Sequence, residues 1–266
     1  MWTSQDLLQL KNNENYLDNN CPLVDPKSEI IEHNYNGPLG NYPIIARVGS
    51  NDTNTVLAII DGGGSPEYGF IPVEQNTPGS ILDVGCYIGG FTRLAICSNQ
   101  NRPIIAIEPM ISNVAMIQRN IRQLPSNPKG NFLFNVAVGH SGHTFISGPP
   151  DDQVHRYMGN TSAAELSPTK ANVKSIDLDE LLLLNEICTG TKEVFFMKID
   201  CEGGEYPLFE NASRESVRKI KYIVGEFHAA SVQSPDYMFL KHGYERYTIT
   251  QHDANGLFAY KRIDTN

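Results

Sequence analysis

Apolar and polar positions alternate along this chain with two periods, and the switches between them mark its elements. The run Ser80-Ile-Leu-Asp-Val-Gly-Cys-Tyr-Ile-Gly-Gly-Phe-Thr-Arg-Leu-Ala95 begins apolar, breaks at Gly85 and resumes at helical spacing after Gly89. It predicts a strand, a tight turn and a helix. Arg102-Pro-Ile-Ile-Ala-Ile-Glu-Pro109 reads as a short buried strand, and Ile111 to Leu124 carries apolar residues at helical spacing until Pro125 stops it. Asn131 to Val138 predicts a third strand. Asp177-Leu-Asp-Glu180 places an acid cap three residues before a glutamate, with Leu181 to Leu184 continuing into a buried helix. Glu193 to Asp200 and Lys221 to His228 predict a fourth and a fifth parallel strand. Tyr244 to Ile249 and Leu257 to Arg262 face each other across the turn signal His252 to Gly256, which predicts an antiparallel hairpin at the sheet edge. The alternation implies an α/β fold with a doubly wound, mostly parallel sheet whose ligands lie at the carboxyl ends of its strands.

The chain before this pattern reads differently. Met1 to about Lys27 is rich in asparagine and short of large apolar side chains, which predicts a mobile or loosely docked arm. Pro43 to Val48 and Thr55 to Ile60 look like two strands separated by Gly49 to Thr53, so a small hairpin is expected there. The triple glycine Gly62 to Gly64 has no Gly-Lys-Ser/Thr after it and reads as a flexible turn, not a phosphate loop. Residues 1–70 are therefore assigned to an N-terminal arm and small extension, and residues 71–266 to the main domain. Within the latter, Ser147 to Lys170 is longer and more polar than a connection needs, and either covers a ligand or is an ordered surface excursion.

Charge and composition narrow the partners. Thirty acidic residues stand against 21 basic ones, a net charge of -9, and no block of Lys or Arg occurs. A phosphate backbone needs a basic surface, so nucleic acid is not an expected partner. No stretch resembles a signal peptide or a membrane helix, so a cytoplasmic protein with no membrane partner is expected. Cys21, Cys86, Cys97, Cys188 and Cys201 contain no C-x-x-C pair and read as reduced thiols. The N-terminal extension is long enough to cover a neighbouring subunit, which leaves a homodimer open.

Two strand ends carry the first chemistry. Asp83-x-Gly85-x-x-x-Gly89-Gly90 spaces its glycines more widely than Gly-x-Gly-x-x-Gly, the pattern that brings a helix N-terminus against a pyrophosphate. A nucleoside without phosphates suits it better. Glu108, 19 positions after Gly89, ends the neighbouring strand, where a carboxylate can accept hydrogen bonds from ribose hydroxyls. A plain turn beside a surface acid remains the structural alternative. Further along, period-two geometry puts Lys198 and Asp200 on one side of the fourth strand, and Glu226 and His228 on one side of the fifth. A charge in an apolar strand needs a partner, so Lys198 is expected to pair with Asp200 or Glu226.

Leu82-Asp-Val-Gly-Cys-Tyr-Ile-Gly-Gly-Phe91, Ile107-Glu-Pro109 with Asn120, Asn135-Val-Ala-Val-Gly139, Val173 to Leu182, Met197-Lys-Ile-Asp-Cys-Glu-Gly-Gly-Glu205 and Glu226-Phe-His228 together resemble the FkbM family of S-adenosylmethionine-dependent methyltransferases. The similarity runs from about Ile71 to Ile249. It implies a class I methyltransferase fold, Rossmann-like, with S-adenosyl-L-methionine as cofactor and a hydroxyl of a sugar or other small molecule as methyl acceptor. Carried over residue by residue, it sets Asp83, Gly85, Cys86 and Gly89 around the methionine part, Glu108 on the ribose, and Asn135 to Ala137 near the adenine. For proton removal from the acceptor the expected base is His228, with Asp200 and Glu202 orienting the substrate and Lys198 beside them. Asp200 as base, with His228 a buried strand-end residue, is the alternative. Asp200, Glu202 and Glu205 form an acidic cluster that either favours a helix N-terminus or, with His228, holds a divalent cation, the latter ranked below a metal-free mechanism. An N-methyltransferase, a methyltransferase of protein side chains, and an inactive nucleoside-binding scaffold are the competing functions. His33, His140, His143, His155, His242 and His252 show no partner spacing and are read as surface residues.

Overall fold

The computed structural model describes residues 1–264 apart from 19–20, 38–39, 42, 62–66, 70, 73, 75, 99–100, 125–129, 148–155, 158–169, 211, 229–234 and 253–254. In chain order its elements are α1 (Ser4–Asn13), β1 (Ile30–His33), β2 (Ile44–Arg47), α2 (Asp52–Ile60), β3 (Ser80–Val84), α3 (Gly90–Cys97), β4 (Ile104–Ile107) and α4 (Ile111–Arg122). There follow β5 (Asn131–Phe134), β6 (Ala137–Val138), β7 (Gly142–Ser147), β8 (Arg156–Tyr157), β9 (Lys170–Ile176), α5 (Leu178–Thr189) and β10 (Val194–Ile199). The chain ends with α6 (Glu205–Glu210), α7 (Arg214–Val217), β11 (Ile220–Phe227), α8 (Asp236–Phe239), β12 (Tyr244–His252) and β13 (Asn255–Arg262).

Seven strands form one sheet in the order β12-β13-β11-β10-β3-β4-β5. Strands β5, β4, β3, β10 and β11 are parallel, and β13 and β12 add the expected antiparallel hairpin at one edge. From β3 the chain builds outward through β4 and β5, then returns to place β10 on the other side of β3. That reversal opens a crevice at the carboxyl ends of β3 and β10.

Both faces of the sheet are covered, and side-chain alternation separates the two cores. Leu82 and Val84 of β3, Ile105 and Ile107 of β4, and Met197 and Ile199 of β10 face α1, α5 and α6. Ile81, Ile104, Ala106, Phe196 and Val224 face α2, α3 and α4. Asp83 and Lys198 occupy the second face at positions where their neighbours are apolar, and they lie opposite each other in the β3–β10 register. This is where the fold departs from a plain hydrophobic sandwich.

Several sequence expectations meet a different structure. The N-terminal arm is a docked helix: Thr3 and Asp6 form a reciprocal capping box, and Leu7 and Leu10 bury in the core beside α5. Two leucines at i and i+3 are enough of an apolar stripe when a neighbour receives them. Residues Thr55 to Ile60 are helical, not extended, and β2 pairs with β1 instead. Asp52, Val56, Ile59 and Ile60 are buried at i, i+4, i+7 and i+8, a helical face that a short β-branched run conceals. The third strand splits, with β5 in the main sheet and β6 in a four-stranded sheet of order β6-β9-β7-β8. Glu180 completes the capping box at Asp177 as the sequence implies, opening α5. The triple glycine, most of the long Ser147 to Lys170 connection and His155 lie outside the described residues. All five cysteines are free thiols. Among the described residues no helix is long and apolar enough to cross a membrane.

Candidate active site

A cavity of about 410 Å³ occupies the crevice at the carboxyl ends of β3, β4, β10 and β11. Its floor is the turn after β3. Gly85 sits at φ +72°, and a Cβ there would meet the Asp200 carbonyl at 1.8 Å, so only glycine lets the turn pass β10. Gly85 and Cys86 both donate their N–H to the Ile107 carbonyl, and Gly89, at φ +91°, starts α3 in the left-handed region. Beneath the turn, fully buried Asp83 accepts a 2.5 Å hydrogen bond from the Thr92 hydroxyl. Lys198 lies with its ammonium 3.6 Å from Asp83, 3.8 Å from Asp200 and 2.6 Å from the Gly85 carbonyl oxygen. Burial pushes the Asp83 carboxyl up from the ordinary carboxylate range. Burial alone would lower Lys198, but Asp83 and Asp200 outweigh it and hold the ammonium charged. Asp83 is thus the main partner of Lys198, joined by Asp200. The expected pairing with Asp200 is present, and Glu226 is not among the partners within ion-pair distance.

Glu108 projects from the end of β4 into the cavity wall. One oxygen accepts from the Tyr87 N–H at 2.9 Å, the other from the Met110 N–H at 2.9 Å and the Asn113 side-chain amide at 3.1 Å. A carboxylate offers about four acceptor positions, so one remains for a hydroxyl donor. Burial raises Glu108 to about 7, against the lowering effect of those donors. Asn135 is used elsewhere: its amide nitrogen bridges the carbonyls of Glu108 and Pro109 at 3.0 and 2.8 Å. It braces the corner after β4 and is not one of the cavity walls, whereas Val136, Ala137 and Val138 are.

The far end of the cavity is acidic. Glu67, Asp200, Glu202 and Glu226 line it, with Lys198 as the one basic side chain among the lining residues. Tyr68 donates its hydroxyl to Asp200 at 2.7 Å and lays its ring 5.2 Å from the Lys198 ammonium. Behind them, His228 is fixed by fully buried Glu205, which accepts from both the backbone N–H of His228 and its Nδ1 at 2.9 and 2.8 Å. The other ring nitrogen, Nε2, faces Glu202 at 3.5 Å, Glu226 at 3.7 Å and Asp200 at 3.8 Å. Burial would lower the imidazole, but Glu205, Glu202 and Asp200 raise it to about 9. Glu226 rises to about 7 through burial and the charge of Asp200. Asp200, Glu226 and His228 bring ligand atoms within 4.8 Å of one another, a set that could hold a divalent cation.

Of the residues expected from sequence, Gly85, Cys86, Glu108, Ala137, Lys198, Asp200 and Glu202 share this one cavity. Asp83 and His228 stand directly behind its walls, Gly89 starts the adjoining helix, and Asn135 supports from outside. Glu67, Tyr68, Tyr87 and Asn113 were not singled out by sequence for these positions, whereas Glu205, read as part of an acidic cluster beside His228, does reach that residue. Asn113 had a readable signal, since it falls five residues after Glu108 on the first turn of α4; Glu67 and Tyr68 had none. His242, read as a surface residue, is buried, while His33 and His143 are exposed.

The family model described as Methyltransferase FkbM domain matches residues 83–246. Among solved structures, the chain is similar to the N-terminal domain of human METTL16 in complex with SAH, at 11% identity over 80% of this chain and 70% of that one, TM-score 0.38. It is also similar to M. capricolum TrmK with S-adenosyl-homocysteine, at 12% identity over 80% and 68%, TM-score 0.39. A putative SAM-dependent methyltransferase from Streptococcus mutans aligns at 8% identity over 88% and 55%, TM-score 0.42. No curated protein sequence matches.

Proposed function

This chain belongs to the FkbM methyltransferase family and has the α/β fold of a class I S-adenosylmethionine-dependent methyltransferase; we propose that it methylates a hydroxyl of a sugar or other small molecule. One observation carries the reading: the glycine turn and ribose-type acid at one end of the cavity open directly onto a carboxylate cluster at the other.

The lining fits the cofactor. The volume falls within the roughly 300–1,000 Å³ of small-molecule sites. Five acids face it against one lysine, and that lysine is spent on Asp83 and the Gly85 carbonyl, which suits a sulfonium cation and not a phosphate. Glu108 would receive a ribose hydroxyl, Val136 and Ala137 would pack against the base, and the Gly85–Cys86 backbone would lie along the methionine part. When bound, S-adenosylmethionine supplies an electrophilic methyl group.

The remaining work falls to side chains of this chain. The acceptor hydroxyl needs a fixed position and a proton acceptor. Glu226 lines the cavity where His228 does not, and the acids around His228 raise its imidazole to about 9, so we assign proton removal to Glu226 and assign His228 the task of holding Asp200 and Glu202 in place. The test is incubation with methyl-deuterated S-adenosylmethionine and a panel of sugars, phenols and amines, read by mass spectrometry. Labelled methyl ethers from hydroxyl acceptors, lost in Glu226→Gln, support the reading. Label only on amines or on protein side chains would overturn it.

A further inference from the structure

Glu108 takes two of its three hydrogen bonds from Tyr87 and Asn113, and both of those residues are held from outside the span that matches the family. Arg47, at the end of β2, and Asp52, at the start of α2, form a buried bidentate pair: the guanidinium Nε and Nη2 donate to the two carboxylate oxygens at 2.9 Å each, and the Arg47 backbone N–H adds a third bond at 2.8 Å. Arg47 is 7% exposed and Asp52 is 0% exposed, so neither is a solvated surface charge. From this pair two arms reach the cofactor acid. The Tyr87 hydroxyl donates to Asp52 at 2.5 Å while the Tyr87 N–H donates to Glu108. The Arg47 Nη1 donates to the Asn113 side-chain oxygen at 3.0 Å while the Asn113 amide nitrogen donates to Glu108.

The result is a closed ring, Glu108–Tyr87–Asp52–Arg47–Asn113, through four elements and one turn. Tyr87 needs this restraint. It is a non-glycine residue at φ +52°, a conformation that costs about 1–2 kcal/mol for an L-residue and persists where surroundings fix it. The Arg47 guanidinium also lies over its ring, 5.4 Å from the centroid. Asn113, for its part, could present either end of its amide to Glu108; the Arg47 donor settles that the nitrogen faces the carboxylate.

We propose that Arg47 and Asp52 are positioning residues for the cofactor: they set the Tyr87 and Asn113 donors that aim Glu108, and so make the segment before β3 a working part of the nucleoside site. The inference rests on the cofactor reading above. It also explains why a tyrosine stands in the glycine turn, where its backbone is unfavourable: the hydroxyl is the tether.

The test is calorimetric titration of S-adenosylhomocysteine into wild-type protein, Tyr87→Phe, Asp52→Asn, Glu108→Ala and the double variant Tyr87→Phe/Glu108→Ala, with thermal melts alongside. Tyr87→Phe keeps the ring and removes only the tether. It should weaken binding about fivefold to tenfold, within the worth of one ordinary hydrogen bond, in a protein that thermal melts still show to be folded. The double variant should bind no more weakly than Glu108→Ala alone, because both act through the same carboxylate. Full affinity in Tyr87→Phe, or additive losses in the double variant, would overturn the inference while leaving the cofactor site standing. Absence of binding by the wild-type protein would overturn the cofactor reading and the inference together. Should Asp52→Asn fail to fold, Tyr87→Phe still decides the question.

Discussion

Lys198 stands opposite Asp83 across the β3–β10 register, with its ammonium 3.6 Å from the carboxylate and 2.6 Å from the carbonyl oxygen of Gly85. One buried cation therefore does two things: it balances the charge under the glycine turn and pins the turn itself. Truncation of one partner of such a pair leaves the other uncompensated, at a cost of about 3–5 kcal/mol, whereas removing both is far milder. Lys198→Met should lower the unfolding free energy by that amount in urea titrations, and Asp83→Asn/Lys198→Met should recover most of it. A single variant that unfolds like wild type would mean that the pair carries no structural load.

Cofactor affinity should depend on pH through Glu108. In the free protein burial holds this carboxyl at about 7, and only its ionised form accepts a hydroxyl while keeping its three present donors. Lys198 from β10 and the Tyr87 and Asn113 donors lower it, and Cys86 stays a neutral thiol beside it. Binding must therefore expel a proton below pH 7. Affinity for S-adenosylhomocysteine is expected to be flat above pH 8 and to fall by up to about tenfold per unit below pH 7. Glu108→Gln should bind weakly and lose the slope; a slope that survives in this variant would assign it to another group.

The two glycines of the turn should respond differently. At Gly85 a methyl group would meet the Asp200 carbonyl at 1.8 Å, a backbone atom that cannot step aside without moving β10. At Gly89 the nearest atoms are 3.5 Å away, and only the left-handed φ opposes a side chain. Gly89→Ala is expected to cost about 1–2 kcal/mol and keep cofactor binding. Gly85→Ala should cost more and abolish binding. Equal effects in paired melts and titrations would contradict the packing described.

Much of this architecture is legible in the sequence because most of it follows from period. The parallel strands, the α4 and α5 helices and the C-terminal hairpin repeat apolar residues with one spacing each. Residues 1–70 resist the same reading. Thr55 to Ile60 is rich in β-branched and apolar residues, and its helical period shows only when Asp52, paired with Arg47, is counted with Val56, Ile59 and Ile60 on the buried face. Leu7 and Leu10 make a helix worth docking only once α5 supplies the other half of the interface. At the site, residues at strand ends were readable from position alone. Asn135 was placed by its neighbours, but its amide is spent on two carbonyls, a choice that only the β4 corner reveals. The upward shift of the His228 imidazole was less legible, because it depends on how closely Glu205 and Glu202 approach from a different strand end.

Metal removal should leave catalysis intact. Asp200, Glu226 and His228 could gather around a cation, but in the metal-free mechanism proposed above a protonated His228 balances these acids instead. Methyl transfer by chelator-treated protein is expected to match that of untreated protein within about twofold, a difference of less than about 0.5 kcal/mol in barrier. Loss of activity on chelation, restored by magnesium or manganese, would convert the cluster into a cation site and displace the proton from His228.

Calorimetric titration of S-adenosylmethionine into metal-stripped wild-type protein and into Glu108→Ala decides whether the cavity is a cofactor site. A single saturable site is expected in the wild type, weakened about 10- to 100-fold in the variant, as for loss of a charge-assisted hydrogen bond. A wild-type protein that binds no S-adenosylmethionine, with or without divalent metal, would contradict it.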